Sequence, residues 1–377
     1  MVDLIIIGAG PYGISLAAHA EACGLSYVLL GRPMHFWKEQ MPQNMFIRTN
    51  PRYISFSDHN DALTIERFSQ ETKVPLESPF PRPAFVDYAF WFAHHARVSF
   101  TPELVVSLGR LYDGFSVITE TGKRLSGRNV VVATGLQHFS YIPDELNGLP
   151  AALLSHTFGQ TEFGRFKGQK VTVIGSGQSA WEAAALLQLA GSETELLYRR
   201  EAVQYASEDN TASGMKLIES AEQFYRLPLE QKQERWHTPR QGSVASFLKP
   251  YVEGKVKTTG GAAIKRAGTT QDGKAILELA DGEHRIADHV IAATGYRIDL
   301  NRVPFLPDYL LEAIQRESGF EWFPLLNGNF ESSVPGLFFA GPLASHTHGP
   351  AFGFVAGLRQ ACRSIIPYIQ QSKGRGH

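Results

Sequence analysis

Short apolar runs, each closed by a glycine-rich turn and followed by an alanine- and leucine-rich stretch, set the pattern of the chain. Leu4-Ile5-Ile6-Ile7 leads into Gly8-x-Gly10-x-x-Gly13, and Val171-Thr172-Val173-Ile174 leads into Gly175-x-Gly177-x-x-Ala180. Uninterrupted runs of this length fit strands buried on both faces, as in parallel sheets. Each turn precedes a segment of helical periodicity, at about 11–23 and 178–190, and each helix precedes another strand, at 27–30 and 195–198. Strands then follow at 104–109, 115–119 and 130–133, ending in Ala133-Thr134-Gly135, and near 255–266, 275–280 and 290–293, ending in Ala293-Thr294-Gly295. Strand–helix–strand, a β-meander, then a strand closing on Ala-Thr-Gly thus occurs twice. Such self-similarity predicts one unit built two times.

The fold expected is α/β, with two Rossmann-like dinucleotide-binding domains that each carry a β-meander. The first spans 1–155 plus 290–377 and is discontinuous. The second, 156–289, is inserted into it, with linkers near 153–156 and 294–299. Residues 205–250 fit neither repeat and read as a helical insertion that covers part of the cleft. The tail from Ser372 to His377 reads as disordered.

The spacing of the glycines has a mechanical reason. The first allows the tight strand-to-helix turn, the second lets a pyrophosphate approach the backbone, and the third small residue lets helix and strand pack closely. The helix start then offers unpaired N–H groups and the positive end of its dipole to the phosphates. Gly8, Gly10, Pro11, Tyr12 and Gly13 are the expected contacts at the first turn, and Gly175, Ser176, Gly177, Gln178 and Ser179 at the second.

Composition narrows the classes. A chain of 377 residues, 43% hydrophobic and 19% charged, is an ordinary globular protein long enough for two cores. Its net charge of −1, with no long basic run, gives nucleic acid or an anionic membrane no electrostatic hold. No apolar run is long enough to span a bilayer, and no signal peptide is expected, because Asp3 interrupts the start and Leu4–Ile7 leads straight into the first turn. Cys23 and Cys362 form no CxxC pair, both read as buried helix residues, and a cytoplasmic location is expected.

The strand ends distinguish the two nucleotides. An NAD site normally carries an acid about 20 residues past the glycines, to bond the ribose 2′-hydroxyl. The second strand ends instead in Tyr198-Arg199-Arg200, where paired guanidinium groups suit a 2′-phosphate and so NADPH; the alternative is a pair of solvated arginines. The first ends in Gly31-Arg32, with glycine in the acid's place and Arg32 available to stack on adenine or meet a phosphate. FAD is assigned there because the first turn must pair with the C-terminal stretch Leu337–Phe339, Ala340-Gly341-Pro342. A helix beginning near Ala351 would aim free N–H groups at the flavin.

Several stretches are similar to one known family. Phe36-Trp37, Met45-Phe46-Ile47-Arg48-Thr49-Asn50-Pro51, Phe56-Ser57-Asp58, Gly175-Ser176-Gly177-Gln178-Ser179-Ala180 and Ala293-Thr294-Gly295-Tyr296 resemble the class B flavoprotein monooxygenases. That resemblance implies NADPH reducing FAD, a C4a-(hydro)peroxyflavin formed with O₂, and transfer of oxygen to a small nitrogen, sulfur or carbonyl compound. It gives Asn50 the catalytic place beside the flavin, where an amide donates and accepts without adding charge. Asn50 before Pro51 also reads simply as a turn residue. Trp37, Arg48, Thr49, Thr134, Gly135, Thr294, Gly295, Tyr296, Gly341 and Ala351 complete the expected cofactor contacts. The family's linker fingerprint matches loosely, with Gly148 and His156 at a longer spacing, so heteroatom and Baeyer–Villiger oxygenation both stay open.

Two other classes remain: a flavin reductase passing electrons to a quinone or protein without a CxxC pair, and a non-enzymatic dinucleotide sensor. His346 and His348, two apart before Gly349, suggest loop or substrate contact, and no carboxylate or cysteine nearby completes a metal set. His94 and His95 read as a partly exposed helix face, with Phe85, Tyr88, Trp91 and Phe92 as core contacts.

Overall fold

The computed structural model describes residues 1–206, 218–219, 221, 223–237 and 243–374. Much of the expected insertion, at 207–217 and 238–242, and the last tail residues, 375–377, lie outside the described residues. Ser372–Gly374, expected to be disordered, closes the helix Leu358–Gly374 instead.

Two mainly parallel sheets carry the chain. In the first, Val2–Ile7 pairs in parallel with Tyr27–Leu30 on one side and with the strand Arg124–Val132 on the other. Phe100–Thr101 extends the sheet beyond Tyr27–Leu30, and Leu337–Phe339 returns from the C-terminal part of the chain to pair with Val130, Val131 and Val132. Leu4, Ile5 and Ile6 are wholly buried, as an apolar run between two helical layers requires. The strand Arg124–Val132 serves twice: its first half closes the antiparallel meander with Val105–Leu111 and Gly114–Thr119, and its second half is a parallel strand. Its start at Arg124 rather than 130 reflects that double use.

The second sheet repeats the plan. Lys170–Ile174 lies between Glu193–Leu197 and His289–Ala292, and Lys257–Thr259 continues outward from Glu193–Leu197. Ile264–Thr269, Ala275–Leu279 and His284–Ala287 form the meander of this half, here a separate three-stranded antiparallel sheet. Leu154–His156, expected as a linker, is an edge strand of this sheet, paired with Val290, Ile291 and Ala292. An antiparallel bridge between Ser140 and Tyr296 brings the outgoing and returning chains together earlier, with Tyr141 N–H donating to Gly295 at 3.1 Å and Arg297 N–H to Phe139 at 2.8 Å.

The helix Arg82–His95 buries Phe85, Tyr88 and Phe92 completely, half-buries Trp91 and exposes His94 and His95, as its periodicity predicts. Cys362 is buried, whereas Cys23 ends its helix half-exposed. Among the described residues no helix is long and apolar enough to cross a membrane.

Candidate functional site

The two glycine turns are built alike down to single contacts. Gly8 and Gly175 have φ of +117° and +150°, and a Cβ on either would collide with a carbonyl oxygen, that of Ala133 or of Ala293. Those alanines open the two Ala-Thr-Gly triplets. Their N–H groups donate to Ile7 and Ile174, each at 2.8 Å, while Gly8 and Gly175 N–H groups donate to Leu30 and Leu197 at 2.8 and 2.9 Å. Gly10 and Gly177 cap the helices Pro11–Ala22 and Gln178–Leu189 in extended conformation, with no side-chain cap on either helix. A Cβ at either capping glycine would meet nothing within 4 Å. Open space over an uncapped helix start is what a diphosphate needs, so the residues present fit a dinucleotide at each turn.

The ends of the second strands differ in a physical way. Gly31 has φ +124°, and a Cβ there would lie 3.1 Å from the amide nitrogen of Ala9. The acid usual at this point is therefore disfavoured by the backbone itself. Arg32 next to it pairs with Glu120 at 3.3 Å, and Glu120 also accepts from the Leu104 N–H at 3.1 Å. At the second site Arg199 is exposed and Arg200 half-buried. Their turn is tied to the neighbouring strand end by Gly261 N–H donating to Arg200 at 2.9 Å and Ala262 N–H to Tyr198 at 3.0 Å.

The stretch 37–50 is held from below by a residue that the sequence reading passed over. Arg82 is 4% exposed, and its guanidinium donates to the carbonyl of Trp37 at 2.5 Å, to that of Gln43 at 3.3 Å and to the Gln43 side chain at 2.7 Å. The Trp37 ring packs edge-on against Phe85, 4.9 Å away. Arg48, Thr49 and Asn50 follow, all half-buried. Asn50 starts the short turn Pro51–Tyr53, its Oδ1 accepting from the Arg52 N–H at 3.1 Å. The turn reading of Asn50 is thus realised, and its amide NH₂ is the end left for another task.

At the crossing between the sheets, His156 is 8% exposed and fixes the returning chain. Its Nδ1 accepts from Phe158 N–H at 2.9 Å, so Nε2 carries the proton and donates to Gly295 at 3.1 Å. Burial pushes its pKa down, consistent with this neutral form. The Thr294 hydroxyl donates to the Tyr141 carbonyl, and the Tyr296 ring lies 5.7 Å from His156 and 6.3 Å from Phe36. Thr134 and Gly135 occupy the matching place at the first sheet.

The C-terminal segment folds back onto the first turn. The Tyr12 hydroxyl donates to Phe354 at 2.8 Å and Phe352 at 3.2 Å, and Gly341, with φ +77°, packs beside the Tyr12 ring. Ala351 is buried but does not begin a long helix. It sits in a single turn, Pro350–Gly353, followed by another at Val355–Gly357, and the regular helix starts at Leu358. Phe354 is extended, with ψ 169°, and this interrupts what periodicity joins.

His346 and His348 are core rings rather than loop residues. His348 stacks on Phe330 at 3.6 Å and on Tyr225 at 5.0 Å, and burial pushes its pKa down to about 3. His346 lies between Trp236 and Phe320. Phe224, Tyr225 and Trp236 thereby bring the described part of the insertion against the C-terminal segment, with Phe224 packed on Gly349. Among the described residues no cluster could hold a metal ion.

Gln178, expected at the phosphates, commits its side chain elsewhere: Nε2 donates to Glu182 at 3.1 Å and Oε1 accepts from Ala245 N–H at 2.9 Å. Only its backbone faces the turn. Glu182 is 5% exposed and was not anticipated, although it is the lone acid in an alanine-rich helix, a signal the sequence does contain.

Comparison with known proteins agrees with this geometry. The family model described as pyridine nucleotide-disulphide oxidoreductase matches residues 5–221. A ferredoxin–NADP reductase of Symbiobacterium thermophilum is 25% identical over 211 residues, 53% of this chain and 55% of that protein. The chain spans about half the length of the curated relatives it matches. Among solved structures, an ornithine N-hydroxylase of Kutzneria sp. 744, described with reduced FAD, NADP⁺ and L-ornithine, superposes with a TM-score of 0.83 at 18% identity, covering 99% of this chain and 100% of that one. The ornithine hydroxylase of Pseudomonas aeruginosa gives 0.79 at 20%, covering 98% and 99%. At such identities the likeness establishes the fold: two dinucleotide-binding units in one chain.

Proposed function

We propose that this chain, which belongs to the pyridine nucleotide-disulphide oxidoreductase family, is an NADPH-dependent FAD monooxygenase acting on a small nitrogen, sulfur or carbonyl compound. The observation that carries the reading is the pair of equivalent turns, each with an open, uncapped helix start at Gly10 or Gly177. FAD, held by residues 1–155 and 290–377, supplies two-electron uptake from NADPH and reaction with O₂. NADPH is held by residues 156–289.

Each part of the chain then has a task. Gly8, Gly10, Pro11, Tyr12 and Gly13 bring the backbone to the FAD diphosphate, and Gly175, Ser176, Gly177 and Ser179 do so for NADPH. Arg199 and Arg200 meet the 2′-phosphate, where a planar guanidinium gives paired, charge-assisted hydrogen bonds. With FAD bound, Asn50 would offer its amide NH₂ as a hydrogen-bond donor beside the flavin while Oδ1 keeps its turn. Trp37, Arg48, Thr49, Thr134, Gly135, Thr294, Tyr296, Gly341 and Ala351 line the cofactors. His156 holds Gly295 and so fixes the angle at which the two units meet. The buried segment Gly341–Ala344, Ser345–His348 keeps water from the centre, which guards against loss of peroxide.

The relative among ferredoxin–NADP reductases favours a second reading, electron transfer to a protein or quinone. The higher TM-scores of the ornithine hydroxylases, 0.83 and 0.79, than of the bacillithiol disulfide reductases, 0.69 and 0.68, support the first. The deciding measurement follows NADPH oxidation and O₂ uptake together with candidate amines, sulfides and ketones. Oxygenated product in proportion to NADPH is expected. Rapid reduction of an artificial acceptor with negligible O₂ uptake would replace this reading by the second.

A further inference from the structure

A cleft of about 550 Å³ lies between the two halves, apart from both glycine turns. One wall is the helix face carrying Glu182, Ala185, Leu186 and Leu189, residues three and four apart and so on one side of the helix. That stripe runs toward the helix end, away from Gly177. Segments 43–46, 161–164 and 247–251 form the other walls.

The chemistry of the lining is uneven. Among the described residues it contains the aromatic rings of Phe46, Phe163, Phe247 and Tyr251 and the carboxyl groups of Glu162 and Glu182, but no lysine, arginine or histidine. Phe46 and Phe247 meet edge to face at 5.9 Å. Aromatic faces and carboxylates share one kind of guest, a cation with an apolar body. Among the described residues Glu182 is buried with neutral partners: the Gln178 amide and the backbone N–H of Phe46. Burial pushes its carboxyl up to about 7, as expected of an acid that lacks a countercharge.

We propose that this cleft binds a small organic ammonium ion, its nitrogen against Glu182 and its apolar body among the aromatic rings. The site stands apart from the flavin and nicotinamide assignment and does not rest on it. Because Glu182 is bonded to Gln178, the first residue of the second glycine helix, an occupant also bears on the nucleotide turn.

The test is calorimetric titration of the full chain, as purified, with 2-phenylethylamine, 2-phenylethanol and phenylacetate. The amine should bind saturably, the alcohol about tenfold or more weaker, and phenylacetate not at all. Glu182→Gln should weaken the amine by about tenfold and leave the alcohol unchanged. Tyr251→Ala, at a position 40% exposed and so tolerant of change, should weaken both amine and alcohol severalfold. Equal affinity for amine and alcohol, full amine binding by Glu182→Gln, or no saturable amine binding at millimolar concentration would each overturn the proposal. Amine binding by a wild-type protein that never oxidises NADPH would defeat the flavoenzyme reading and leave this site intact.

Discussion

The imidazole of His156 donates to the carbonyl of Gly295 at 3.1 Å, joining the edge strand of the second sheet to the chain leaving it. Gly295 belongs to the second Ala-Thr-Gly triplet and accepts also from the Tyr141 N–H, so this bond ties the edge strand to the point where the two chain crossings meet. His156→Ala should lower stability by about 2 kcal/mol, since its ring makes two hydrogen bonds, and slow hydride transfer from NADPH severalfold at saturating nucleotide. Stopped-flow reduction of the flavin checks it. A reduction rate equal to wild type would confine His156 to a structural role.

Arg199→Ala and Arg200→Ala should weaken NADPH by about tenfold to a hundredfold and leave NADH nearly unchanged, since a charge-assisted hydrogen bond is worth about 1.5–3 kcal/mol. Fluorescence titration with both nucleotides measures the ratio. Equal losses for NADPH and NADH would remove the 2′-phosphate assignment.

Asn50 combines a turn and a donor, and two substitutions separate them. Asn50→Asp keeps the oxygen that accepts from Arg52 N–H and loses the NH₂, whereas Asn50→Ala loses both. Stability should fall for the alanine variant alone, by the cost of a lost cap, about 1 kcal/mol, read as a lower melting temperature. Both variants should divert NADPH oxidation from oxygenated product to hydrogen peroxide. Unchanged coupling in both would leave Asn50 a turn residue.

Glu182 should make stability fall as pH rises. In the unfolded chain its carboxyl has the ordinary value of 4.5, and in the fold burial pushes it up to about 7. Below 4.5 the carboxyl is protonated in both states. Between 4.5 and 7 the unfolded chain gives up its proton first, which costs the fold about 3 kcal/mol by pH 8. Glu182→Gln should therefore be more stable than wild type at pH 8 and equal to it at pH 4.5, by denaturant titration. His348 acts with the opposite sign: its pKa, lowered by burial to about 3, withdraws stability as pH falls below 6.5. A variant whose advantage did not vary with pH would contradict the buried-acid account.

Local geometry is where the sequence was most legible. Gly8, Gly13 and Gly175 are dictated by contacts within a few residues or by the matching alanine carbonyl, and their spacing announced both turns. What stayed hidden depends on distant partners. The Arg82 guanidinium holds carbonyls some forty positions earlier, and no periodicity encodes that. The helix start at Leu358 was misplaced to Ala351 because helical spacing continues through Phe354, whose backbone is extended. Leu154–His156 read as a linker because so short an edge strand has no pattern of its own; its pairing with Val290–Ala292 is a tertiary fact.

The Tyr12 hydroxyl reaches the carbonyls of Phe352 and Phe354, and Leu337–Phe339 fills a place beside Val130–Val132. During synthesis these partners emerge after the inserted unit, so the unit whose strands come earlier is the later one to close. The inserted sheet, whose strands all lie between Leu154 and Ala292, can settle while the opening strands still wait for their final neighbour.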